Sequence, residues 1–239
     1  MLERTVKARA AKPRTRLWAL CAAAGALLMT DAAAANVLVL RSSGPSNRSY
    51  EPGQPLPANA TVTLKPGDVV ILLKGENTRT LRGPGRFSLA SLPANPLRSL
   101  VPRRGRFSAL RTAGIVPRSP TIWHVDVSQS GRVCVADPAA VQLWRPDASE
   151  EATVDVSNGT ATEAIRWAAG EETAAWPASM PIAADAEYQL KWSNGGEPGK
   201  LVFTPVKNLP TDVASVAQEL IRQRCEHQLE MLIETLSAD

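Results

Sequence analysis

Between Asn36 and Val206 the chain is broken so often by proline, glycine and pairs such as Ser130-Gly131 and Asn158-Gly159 that long helical runs are absent. Proline lacks a backbone N–H and fixes its own φ, while glycine takes backbone angles that end regular structure, so both punctuate the chain. Nineteen prolines and fifteen glycines are spread over 239 residues. What fits between them is short strands, and the chain is expected to be mainly β. The exception lies after Pro210.

The first strands read clearly. Val37-Leu38-Val39-Leu40 is an apolar run long enough for a buried strand, and Gly44-Pro45-Ser46-Asn47 is turn chemistry. Thr61-Val62-Thr63-Leu64 alternates polar and apolar, as a half-buried strand does. After the turn Lys65-Pro66-Gly67-Asp68 comes Val69-Val70-Ile71-Leu72-Leu73, whose β-branched run suits a central strand. Gly75-Glu76-Asn77 turns again, Thr78 to Arg82 alternates, and Gly83-Pro84-Gly85 closes the series before Phe87.

Three stretches of this region resemble a known pattern: Tyr50-Glu51-Pro52-Gly53-Gln54-Pro55-Leu56, Val62-x-Leu64-x-x-Gly67-Asp68-x-Val70, and Thr78-x-x-Leu81-x-Gly83-Pro84-Gly85-x-Phe87. Together they are similar to a FecR-type domain, found in the periplasmic part of iron-dicitrate sensor regulators and in other envelope proteins. The resemblance covers about fifty residues and implies a binding or scaffolding module. It departs from the sensor-regulator layout, because no anti-sigma segment precedes the apolar N-terminal stretch. A role in envelope signalling, as a subunit working beside a membrane sensor, is a further reading that differs from simple binding mainly in its partner.

Residues 93–120 read as a linker with five prolines and six arginines. Residues 121–206 hold eight candidate strands: Ile122–Val127, Arg132–Val135, Val141–Trp144, Ala152–Val156, Glu163–Ala168, Thr173–Trp176, Glu187–Trp192 and Lys200–Val206. Their spacing of roughly ten residues predicts an immunoglobulin-like β-sandwich. Trp123, Trp144, Trp167, Trp176 and Trp192 all fall here. They read as core filling rather than as a stacking platform, with Trp176 beside Pro177 the least suited to burial. From Pro210 to Leu236, apolar residues recur at three- and four-residue steps, which predicts one amphipathic helix capped by Thr211 or Asp212 and packed on the sandwich.

Cys134 lies in a predicted strand and Cys225 on the apolar face of the predicted helix, so an oxidising compartment would join them. No cysteine pair at short spacing exists, and His124 and His227 stand apart in sequence, so no metal site and no cofactor is expected. The chain has no G-x-S-x-G, H-E-x-x-H, P-loop or G-x-G-x-x-G motif. His124 and Asp126, two apart on a strand, share a face and leave a periplasmic hydrolase as the alternative reading. The acid pairs Glu150-Glu151 and Glu171-Glu172 lie in polar turns and read as solvated.

The N-terminus sets the address. Six basic residues lie within Met1 to Arg16, followed by a thirteen-residue apolar stretch, Leu17 to Met29, and by Ala32-Ala33-Ala34-Ala35. A charged region, a short apolar region and small residues make up a secretory signal, with cleavage expected after Ala35. An uncleaved anchor is the other reading, although spanning a bilayer takes about 20 apolar residues. Residues 36–239 carry 21 basic and 21 acidic side chains, so the basic whole-chain balance gives no ground for nucleic-acid binding. The charge is segregated nevertheless. Nine arginines and no acid lie between Arg79 and Arg118, which marks a contact surface or a segment docking on the acidic half. Arg86, Arg103, Arg104 and Arg106 are the candidate contacts. The expected layout is signal 1–35, FecR-like module 36–92, linker 93–120, sandwich 121–206 and helix 207–239. The expected function is an exported, non-enzymatic protein binding an envelope protein or an anionic cell-wall or surface component.

Overall fold

The computed structural model describes residues 36–92 and 119–237. The signal segment and its cleavage point, and Arg103, Arg104 and Arg106, lie outside the described residues. Among the described residues no helix is long and apolar enough to cross a membrane.

The chain opens with β1 (Val37–Ser43), β2 (Pro55–Leu56), β3 (Thr61–Leu64), β4 (Val69–Lys74), β5 (Asn77–Arg82) and β6 (Gly85–Ser88). An antiparallel sheet runs in the order β2-β1-β4-β5, and β3 pairs with β6 in a second, two-stranded sheet. Val37 and Val39 point into a core with Leu56, Val62, Leu64, Val70, Leu72, Leu81 and Leu89. Leu38 and Leu40 face the other way and are also buried, with Leu73. A strand buried on both faces has no polar side to alternate with, which is why Val37 to Leu40 reads as an unbroken apolar run.

The second part comprises β7 (Val125–Asp126), β8 (Gly131–Val135), β9 (Gln142–Trp144), β10 (Ala152–Ser157), β11 (Thr162–Trp167), β12 (Thr173–Ala175), β13 (Glu187–Trp192) and β14 (Gly199–Pro205). Every expected strand is present, most within a residue of its expected bounds. Five strands form one sheet, β11-β10-β13-β14-β8, and three form another, β12-β9-β7; the pairs β8–β14 and β7–β9 are parallel. Side chains of both sheets meet in one core built on Leu143, Val154, Val156, Trp167, Leu190, Leu201 and Phe203. Trp176 corrects the expectation made for it: it is buried. After Pro177 the chain turns back, Met180 N–H donating to the Pro177 carbonyl at 3.0 Å. This brings the Met180 carbonyl within 2.6 Å of the indole N–H. With its polar atom satisfied, the ring packs edge-on against Tyr188 and Phe203, at centroid distances of 5.1 and 4.9 Å.

The C-terminal helical region is where the periodicity puts it, but it is a pair: α1 (Val213–Gln223) and α2 (Glu226–Ser237). Asp212 caps α1 by accepting from Ser215 N–H at 2.9 Å. Arg224 ends α1 in the left-handed conformation, φ 60°, its N–H reaching back to the Ile221 carbonyl. The bend carries Cys225 onto β8, where it is bonded to Cys134 with the Cα atoms 5.8 Å apart. The apolar face of the pair, including Ala217, Leu220, Leu229, Leu232, Ile233 and Leu236, covers Val206 at the sandwich and also Leu38, Leu40 and Leu73 of the first sheet. The helices thus close both β parts. Arg41 of β1 and Glu230 of α2 form an ion pair across this junction.

Candidate functional site

The corner where β3, β4, β5 and β6 meet is built around one carboxylate. Asp68, in the turn before β4, is 1 % exposed. Its two carboxylate oxygens accept the backbone N–H groups of Ser46 at 2.8 Å and Lys65 at 2.5 Å. Its carbonyl accepts Gly83 N–H at 2.9 Å. Burial alone would raise the carboxyl pKa, but the hydrogen bonds from Ser46 and Lys65 and the Lys65 charge outweigh it and hold the group below the ordinary value. Two glycines permit the close approach. A Cβ on Gly44, whose φ is +97°, would lie 2.7 Å from the Asp68 carboxylate, and one on Gly83 would lie 2.0 Å from the Lys65 carbonyl. Three segments of chain are tied together at this point.

Three exposed cations lie on the strands and turns that the tie joins. Lys65 is exposed in the turn itself, Arg82 is exposed at the end of β5 opposite Val69, and Arg86 is exposed on β6 opposite Thr63. Neither Arg82 nor Arg86 makes a hydrogen bond or ion pair with a described residue, whereas Lys65 interacts electrostatically with Asp68. The module from Asn36 to Leu92 holds seven basic and three acidic residues. Of the four arginines expected to make contacts, Arg86 therefore lies on an exposed cationic corner. Sequence reading passed over Lys65 and Arg82. The only signal for them in the sequence is their place beside the turns Pro66-Gly67 and Gly83-Pro84-Gly85.

The edge of this corner is finished by a tyrosine. Thr63 directs its backbone groups away from β6, and the Tyr50 hydroxyl accepts its N–H at 2.8 Å and donates to its carbonyl at 3.1 Å. The same device recurs on β8, the edge strand of the five-stranded sheet. There Gln228 of α2, 3 % exposed, accepts Cys134 N–H at 2.6 Å and donates to the Cys134 and Ile122 carbonyls at 2.8 Å. Each side chain satisfies the two backbone groups that a neighbouring strand would otherwise take.

His124 and Asp126, the residues behind the hydrolase reading, do line one recess, together with Ser130, His227 and Gln228. Its volume is about 20 Å³, which is the scale of a single water molecule. The His124 Nδ1 lies 2.8 Å from the Thr121 hydroxyl, and Asp126 accepts from Ser128 N–H and Oγ at 2.9 and 2.6 Å. Burial depresses the His124 pKa and favours the neutral ring. Among the described residues no group of three or more His, Cys, Asp or Glu side chains is placed to hold a metal ion.

In comparison with known proteins, no family model matches the chain, and neither a curated protein nor a solved structure matches it.

Proposed function

We propose that this chain is an exported, non-enzymatic protein of the bacterial envelope, and that its N-terminal, FecR-like module binds an anionic partner or cell-surface component. The observation that carries this reading is the tied corner, whose strands and turns carry the exposed Lys65, Arg82 and Arg86, with no carboxylate paired to either arginine. The tied turns fix the backbone that carries these cations, and exposed charges of one sign attract and orient an anionic partner. Arg103, Arg104 and Arg106 follow in sequence and extend the acid-free run. The disulfide between Cys134 and Cys225 is compatible with an oxidising compartment. The hydrolase alternative is weakened by a recess too small for a substrate and by hydrogen-bonded partners at both His124 and Asp126.

The test is retention of envelope material by the immobilised protein, with a soluble polyanion as competitor. Wild-type retention is expected to fall as salt rises, because screening shortens the range of exposed charges to about 10 Å at 0.1 M. The variant Arg82→Ala/Arg86→Ala should lose most of it. Equal retention by that variant, or hydrolytic turnover abolished by His124→Ala, would defeat the reading.

A further inference from the structure

We propose that a second, oppositely charged site lies in the cleft at one end of the sandwich, and that its ligand is a basic peptide segment. The cleft has a volume of about 570 Å³ and is lined from three separate loops. Ser128 comes from the β7–β8 loop, Arg145 and Asp147 to Glu151 from the β9–β10 loop, and Asn194 to Glu197 from the β13–β14 loop, with Ala152 and Trp192 at the adjoining strand ends. Loops gathered at one end of a rigid sandwich are a common place for recognition, because the sheets fix their bases and leave their tips free to vary.

The cleft is more than a cluster of acids. Arg145 is 4 % exposed. Its Nε and Nη2 donate to the carbonyls of Glu171 and Ala168, both at 2.9 Å, and its guanidinium carbon lies 5.9 Å from the centroid of the Trp167 ring. Its Nη1 has no acceptor among the described residues. With two of its five N–H groups taken, the guanidinium keeps donors, both on Nη1 among them, for a carbonyl oxygen arriving in the cleft. Beside it, the half-buried Trp192 stacks on Trp167 with ring centroids 6.1 Å apart. Around both stand four exposed carboxylates, Asp147, Glu150, Glu151 and Glu197.

Each part matches one part of a basic peptide. The carboxylates attract lysine or arginine side chains, an indole ring accommodates such a cation over its face, and the spare Nη1 takes a backbone carbonyl. The wider field has the same sign, since residues 119–237 carry seventeen acidic and eight basic side chains. A neutral sugar would use the indole but would leave the surplus of carboxylates without purpose. An anion would be repelled by it. This site is independent of the cationic corner described above, and its ligand has the opposite charge.

The probe is a dye-labelled, end-blocked octapeptide of alternating glycine and arginine, followed by anisotropy and by tryptophan fluorescence. Its glutamate counterpart and a neutral hexasaccharide serve as competitors. Saturable binding is expected, weakening at least about tenfold in Glu150→Gln/Glu151→Gln/Glu197→Gln and weakening again as salt is raised. The three glutamates are exposed, so the variant should melt like the parent. Arg82→Ala/Arg86→Ala should bind the arginine peptide unchanged, which separates this site from the proposed anionic contact. Absence of saturation up to roughly 1 mM peptide, equal affinity in the triple glutamine variant, or binding of the hexasaccharide in place of the peptide would each overturn the proposal.

Discussion

Asp68 and Gln228 do at single positions what is usually left to backbone. The Asp68 carboxylate is buried and takes two backbone N–H groups, so Asp68→Ala should leave both donors without partners and lower the melting temperature more than a surface substitution would. The pH dependence has a definite sign. A carboxyl whose folded pKa is depressed adds stability above its unfolded value, and that contribution is lost as pH falls through the lower folded value. Melting followed from pH 7 into the acid range should therefore show a steeper acid decline in the parent than in Asp68→Asn. Parallel declines would contradict it. For Gln228→Ala, the Cys134 N–H and carbonyl lose their partner in a buried place, and a loss of about 1–3 kcal/mol in denaturant unfolding is expected. Neither residue was legible as structural. A lone Asp after a glycine reads as turn chemistry, and a Gln in a helix reads as solvated, because nothing local shows which backbone a side chain will meet.

The strands were legible, since alternation in β3 or β13 records directly which face is buried. The break between α1 and α2 was not. Apolar spacing runs on through Leu220, Cys225 and Leu229, and the residue that adopts the left-handed turn is Arg224 rather than glycine. A side chain at positive φ costs about 1–2 kcal/mol, so Arg224→Gly is expected to stabilise the pair by something like 1 kcal/mol in chemical denaturation. Reduction of Cys134–Cys225, which closes a separation of 91 residues, should cost up to about 4–5 kcal/mol in the chain-entropy view. Hydrogen exchange after reduction should show α1 and α2 losing protection before the sheets, because helices of this length are marginal once unpacked. Sheets that open first would show that the bond guards the sandwich and not the helices.

Across the whole molecule, positive charge gathers in the first β part and negative charge in the second. This polarity could be read from composition, whereas the strand that carries Arg86 could not, because Gly83-Pro84-Gly85 reads as a turn and β6 begins inside it. The cleft could not be read. Its residues come from three loops far apart in sequence, and the pair Glu150-Glu151 in isolation looks like an ordinary wetted turn. The helix pair adds a constraint of another kind, because one apolar face serves Leu38, Leu40 and Leu73 at one end of the chain and Cys134 and Val206 further on. That arrangement carries a consequence in time. β1 ends at Ser43 and α1 begins at Val213, so the outer face of β1 stays open until the helices arrive to cover it. A product cut before α1 would leave Leu38, Leu40 and Leu73 open to water, and limited proteolysis is expected to clip its β1 sooner than in the chain that carries the helices.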